Sequence, residues 1–108
     1  PVGESVVEFI LDLVRALRPD DAEASDHIRD SVVWGPGPRA AQALVMTSRA
    51  RALLAGRLAP SIEDAVAMAH PVLAHRMSLG FAARARGENL TELIDQTCQK
   101  IIGHEAAA

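Results

Sequence analysis

The chain has 108 residues, of which 49% are hydrophobic and 3% aromatic, and its 11 Lys and Arg against 14 Asp and Glu leave a net charge of −3. That length suits one domain burying about two-thirds of its unfolded surface, and excludes a full nucleotide-binding fold with accessories. A lone Cys98 excludes an internal disulfide or a cysteine zinc cluster and points to a cytoplasmic protein; no apolar run reaches bilayer length and no basic-then-apolar leader is legible; the single lysine, Lys100, with a net acidic balance, argues against sequence-independent nucleic-acid binding. An opening Pro1 without Met suggests excision from a longer polypeptide.

From Glu4 to Arg18, Val6, Ile10, Leu13, Val14 and Leu17 recur at helical spacing, with Glu4 or Ser5 as the start and Pro19 as the stop. Pro19–Asp26 is acidic and turn-rich without an apolar stripe, so it reads as an exposed connecting loop. Ile28–Trp34 carries Val32, Val33 and Trp34 in a short run before Gly35-Pro36-Gly37-Pro38, which predicts a brief extended segment entering a rigid turn. Pro38 fits the first turn of a helix, where its missing N–H costs nothing, and Arg39–Arg57 is rich in Ala, Leu and Arg. Ala40, Ala43, Leu44, Thr47, Ala50 and Leu54 are its predicted inward stripe, and Gly56 its end.

In Pro60-Ser61-Ile62-Glu63-Asp64, Ser61 can cap a third helix while the two acids suit the positive end of its macrodipole. Ile62, Val66, Ala69 and Leu73 predict the buried face, and Pro71 either kinks this helix or divides it at His70. Met77–Arg86 leaves strand, loop and arm open. A last helix starts at Asn89, with Glu92 as capping partner, and runs through Leu90, Leu93, Ile94, Thr97, Cys98 and Ile101 to a stop at Gly103, before a low-complexity Ala106-Ala107-Ala108 end. Four helical segments with short connections predict an all-α small helical bundle, with room for a minor extended pair around Val32 and Met77.

Three constellations compete for chemistry. In Gly35-Pro36-Gly37-Pro38-Arg39, glycines allow close backbone approach and a helix N-terminus follows, with free N–H groups and partial positive charge; Arg39 adds a permanent cation with a planar fork suited to phosphate oxygens. An ordinary rigid helix start with a solvated arginine is the alternative, since the turn is no G-x-x-x-x-G-K-[ST] cradle. His70 and His75 lie five apart, about 140° around a helix, and so do not share a face as a zinc pair would. Arg49, Arg51, Arg57, Arg76, Arg84 and Arg86 could recognise phosphate or a neighbour's carboxylates, or could reflect codon usage alone. Cys98 reads as core.

Taken together, Trp34–Leu44, Ser48–Arg57, Pro60–Ala65 and His70–Arg76 resemble, in order and spacing, the C-terminal lid of MoxR-type AAA+ ATPases. The resemblance covers Glu4 to about Leu79 within a single lid-like domain spanning the chain, and residues 80–108 form a less distinctive arm and helix. It implies a helical lid that closes over ATP and magnesium held by an absent large α/β domain of the same chain. It maps the family's sensor 2 arginine, which reaches the γ-phosphate, onto Arg39, with Gly37 and Pro38 beside it. Gly37 replaces the family's usual Ser, and Ser61-Ile62-Glu63-Asp64 its T-P-E-D. The family further implies a homo-oligomeric ring, chaperone-like remodelling of clients and partners with von Willebrand factor A-domains. No Walker A or Walker B motif is present, so the chain alone is not expected to hydrolyse ATP. The contrasting expectation is an ATP-independent helical adaptor whose Arg39–Arg57 face meets protein or nucleic acid.

Overall fold

Helix α1 (Glu4–Ala16) forms where the periodicity predicts and presents Val6, Phe9, Ile10, Leu13 and Val14 to the interior. In the computed structural model, which describes residues 2–107 with side chains as far as residue 104, Phe9, Ile10, Leu13 and Leu17 are among the largest fully buried side chains. The acidic stretch after Pro19 is more than a connection. Ala24 is buried in the core, and the Ser25 hydroxyl accepts from the Ile28 N–H at 3.2 Å to cap a short helix α2 (Asp26–Ser31). The predicted loop therefore contributes a core residue and a helix cap.

Strand β1 (Val32–Trp34) follows at once and pairs antiparallel with β2 (Ser78–Leu79), matching Val32 to Leu79 and Trp34 to Ser78 with an irregularity between them. This two-stranded ladder is the extended pair predicted around Val32 and Met77. Helix α3 (Pro38–Leu54) buries Ala40, Leu44, Ser48 and Ala52, a row of mostly small residues that lets α4 pack closely along it. The predicted stripe is corrected at its end: Ala50 is exposed, and Leu54 is 91% exposed. The contact row follows an i, i+4 line set by α4 and drifts away from Leu54. Gly56, at φ +81°, closes the helix in the left-handed conformation, with the Arg57 N–H donating to the Ala52 carbonyl at 2.9 Å.

Helix α4 (Ile62–Leu73) begins with a reciprocal cap between Ser61 and Asp64 and buries Asp64, Ala65, Ala69, Val72 and Leu73. Ile62 and Val66 are half-buried. The helix is not divided at His70: it passes through Pro71, which lies on the exposed side, and tightens into a 3₁₀ turn over Ala74–Arg76. The open segment resolves into β2 and a short helix α5 (Phe81–Ala85). Helix α6 (Leu90–Ala107) starts where predicted, with the Asn89 side-chain oxygen accepting from the Glu92 N–H at 2.9 Å. It does not stop at Gly103. An exposed glycine costs a helix about 1 kcal/mol, which the flanking turns tolerate. Of the predicted Ala106–Ala108 end, Ala108 lies outside the described residues.

Six α-helices and one small ladder among the described residues make the all-α bundle expected, with two short helices, α2 and α5, beyond the four predicted. One continuous core joins α1, α3, α4 and α6. Cys98 sits fully inside it, and loss of hydration, helped by the nearby Asp95 charge, pushes its thiol pKa up to about 12. No helix among the described residues is long and apolar enough to cross a membrane.

Candidate functional site

The Gly35–Pro38 turn is held from two sides. Gly35 lies so close to the end of α1 that a Cβ there would stand 2.8 Å from the Leu17 carbonyl oxygen and 2.9 Å from the Arg18 Cα. Arg18 donates from Nε to the Pro36 carbonyl at 2.8 Å, and Pro36 itself is fully buried. From the other side, β1 enters the turn while paired to β2. Gly37 is the N-cap of α3 with extended backbone, makes no side-chain cap, and has open space where a Cβ would lie. The two glycines thus do different work: Gly35 is sterically required, and Gly37 is not.

Pro38 occupies the first turn of α3, and the Ala40 N–H donates to the Gly37 carbonyl at 3.0 Å, while Arg39 extends from the helix start into solvent. Among the described residues Arg39 makes no ion pair and no side-chain hydrogen bond to protein. It lines a shallow groove of about 520 Å³ with Trp34, Gly35, Gly37, Pro38, Ala40 and Arg76. Arg76, from the 3₁₀ turn before β2, is brought there by the ladder, and its Nε is buried without a hydrogen-bond partner. The groove lining holds two arginines and no carboxylate. Trp34, 69% exposed, forms part of its rim. Helix start, exposed Arg39 and half-buried Arg76 bring two cations and the positive end of a helix dipole to one groove, an arrangement suited to an oxyanion. Sequence reasoning found Arg39 and grouped Arg76 with undifferentiated arginines. The signal that separates Arg76 is its position two residues before the strand that pairs with Val32–Trp34.

The remaining arginines divide. Arg51 and Arg57, from the end of α3 and the loop after it, converge on Asp64, whose side chain has no exposed surface. Arg51 donates at 2.6 Å, Arg57 donates through both terminal nitrogens at 2.6 and 2.7 Å, and the Ser61 N–H donates at 2.7 Å. The hydrogen bonds from Arg57 hold the Asp64 carboxyl well below the usual carboxylate range, against the opposing effect of burial. Asp64 is therefore a structural anchor, a role that its reading as a first-turn acid did not include. Arg86 pairs with Glu88 at 2.8 Å, and Glu88 also accepts from the Ser31 hydroxyl at 2.9 Å and faces His27 at 3.0 Å. Burial would raise the Glu88 pKa, but the bonds from Ser31 and Arg86 outweigh it and hold it below the ordinary value. Arg49 and Arg84 are exposed, as are His70 and His75. No group of three or more potential metal-ligating side chains occurs among the described residues.

A helical bundle with one short ladder holds the glycine- and proline-rich turn at the start of α3. The family model of the AAA lid domain matches residues 24–97, more than half of the chain, and the chain belongs to that family. A crystal structure described as a "putative ATPase" from Cytophaga hutchinsonii is similar over 92% of this chain, at 27% identity and a TM-score of 0.83. This chain spans 30% of that protein's length. No curated protein matches the sequence.

Proposed function

We propose that this AAA lid closes over ATP held by an AAA+ large domain of the same chain in a MoxR-type ATPase, and that Arg39 is its sensor 2 residue. The observation that carries the reading is the state of Arg39: exposed at the start of α3, without an ion-pair partner among the described residues, in a groove lined by cations and no carboxylates. Its charge is uncommitted within the lid. The groove fits phosphate oxygens and offers nothing to magnesium, which belongs with the acidic residues of a large domain. Bound MgATP would supply the transferring phosphoryl group, and Arg39, exposed beside the α3 N-terminus, would bring a guanidinium to the negative charge that develops there. Gly37 and Pro38 set the direction in which Arg39 leaves the helix.

In this reading the lid transmits the nucleotide state around a homo-oligomeric ring in the cytoplasm, coupled to chaperone-like remodelling of client complexes, with proteins carrying von Willebrand factor A-domains among its partners. Likeness to an ATPase over nearly the whole of this chain supports the coarser part of the proposal. The test is Arg39→Ala in the full-length protein. Turnover is expected to fall about a hundredfold, with a smaller loss of nucleotide affinity. Unchanged turnover sinks the sensor role, and salt-dependent DNA binding by a protein that ignores ATP would favour the adaptor instead.

A further inference from the structure

We propose that Arg76 is a second phosphate-contacting residue, which with Arg39 forms a two-pronged guanidinium clamp on the triphosphate. The inference rests on the lid reading above and adds a residue to it.

Four observations carry it. Arg76 lines the same groove as Arg39, although 37 positions separate them in the chain. Its Nε is buried with no acceptor, whereas buried polar groups are almost always paired and those of a charged side chain are the costliest to leave open. No carboxylate lines the groove; Asp20 lines a different hollow, together with Arg18. Finally, its placement is set by backbone: the Met77 N–H closes the 3₁₀ turn onto the Ala74 carbonyl at 3.2 Å, and the strand that follows is locked to β1, the strand leading directly to Arg39. The buried Nε holds the side chain back in the fold, and the terminal nitrogens of the guanidinium, which bond to nothing among the described residues, are the donors an anion in the groove can reach. A polyphosphate is the ligand with enough oxygens to engage two such groups at once.

The two arginines differ in a way that assigns their shares. Arg39 is solvent-exposed on the first turn of a helix and can follow the phosphates as the lid closes. Arg76 is half-buried in the 3₁₀ turn before β2 and pre-organised, so it contributes to binding in the ground state as well as during transfer.

The test uses the full-length protein with Arg76→Gln, Arg76→Lys and Arg39→Ala, reading MgATP affinity, turnover at saturation and thermal unfolding without nucleotide. Arg76→Gln is expected to weaken MgATP binding about tenfold or more, the effect of losing one charge-assisted hydrogen bond. It should leave the nucleotide-free melting temperature unchanged or higher, because it removes an uncompensated buried donor. Arg76→Lys, which keeps charge but not the fork, should recover only part of the affinity. If Arg76→Gln binds MgATP as tightly as the parent while Arg39→Ala slows turnover, the clamp is overturned and the lid reading stands. If neither arginine affects nucleotide binding or turnover, both fall together. If Arg76→Gln melts several degrees lower and Arg76→Lys restores stability and affinity in full, Arg76 is a strut of the fold, and the clamp is overturned.

Discussion

The two ends of α3 use arginine in opposite ways. At its C-terminal end Arg51 and Arg57 close on Asp64 with three short bonds, and the carboxylate they hold has no contact with solvent. At its N-terminal end Arg39 and Arg76 share a groove and bond to no protein carboxylate among the described residues. The first pair of guanidiniums has spent its capacity on the fold. The second has no ion pair to the fold among the described residues. Abundance of arginine therefore says little about ligand binding until each charge is assigned a partner.

The largest effect should come from breaking the saturated end. Asp64→Ala removes the buried carboxylate that accepts from Arg51, Arg57 and the Ser61 N–H, and with it the reciprocal cap of α4, a loss of about 2–4 kcal/mol by chemical denaturation. Arg39→Gln, by contrast, should change stability by less than about 0.5 kcal/mol. Equal losses at the two ends would erase the contrast between them.

The turn beside Arg39 provides the next test. Gly35→Ala places a methyl against the Leu17 carbonyl and the Arg18 backbone and should cost about 1–3 kcal/mol, readable as a lowered unfolding midpoint. A third expectation concerns acid. Glu88 titrates below its ordinary value of 4.5, so the folded protein binds fewer protons than the unfolded chain as pH falls. Its stabilising contribution is complete above that pH and is lost on acidification through the lower folded pKa; Asp64 behaves alike from 3.8 downward. Glu88→Gln should flatten the stability curve near pH 4 while leaving the Asp64 region steep. The smallest effect is Gly37→Ser, at the N-cap of α3. The site is open, the backbone extended, and a serine hydroxyl can cap α3, so stability should rise by a few tenths of a kcal/mol.

Much of this was legible in the sequence because the signals are local. The apolar spacing of α1, Pro38 at the start of α3, Ser61 as a cap and Val32–Trp34 as an extended run all depend on neighbours within a turn or two. Helix α2 escaped because its six residues carry a single long apolar anchor, Ile28, too few for a period to show. The inward stripe of α3 failed at Leu54 because the line of contact is chosen by α4. Asp64 looked like any first-turn acid; its burial depends on Gly56 reversing the chain so that Arg57 returns to it. Arg76 was hidden for a similar reason, since only the pairing of β1 with β2 carries it to the start of α3. Arg39 could be singled out because helix start, glycine turn and cation lie together in five residues.

The close approach of Gly35 to α1 has a mechanical consequence. With the Gly35 backbone set against Leu17 and Arg18, and with Arg18 bonded to the Pro36 carbonyl at 2.8 Å, the turn that leads into α3 is tied to the end of the first helix, so the two are expected to move together. In a body 43 Å long, a small rotation about that joint becomes a larger displacement at the far end.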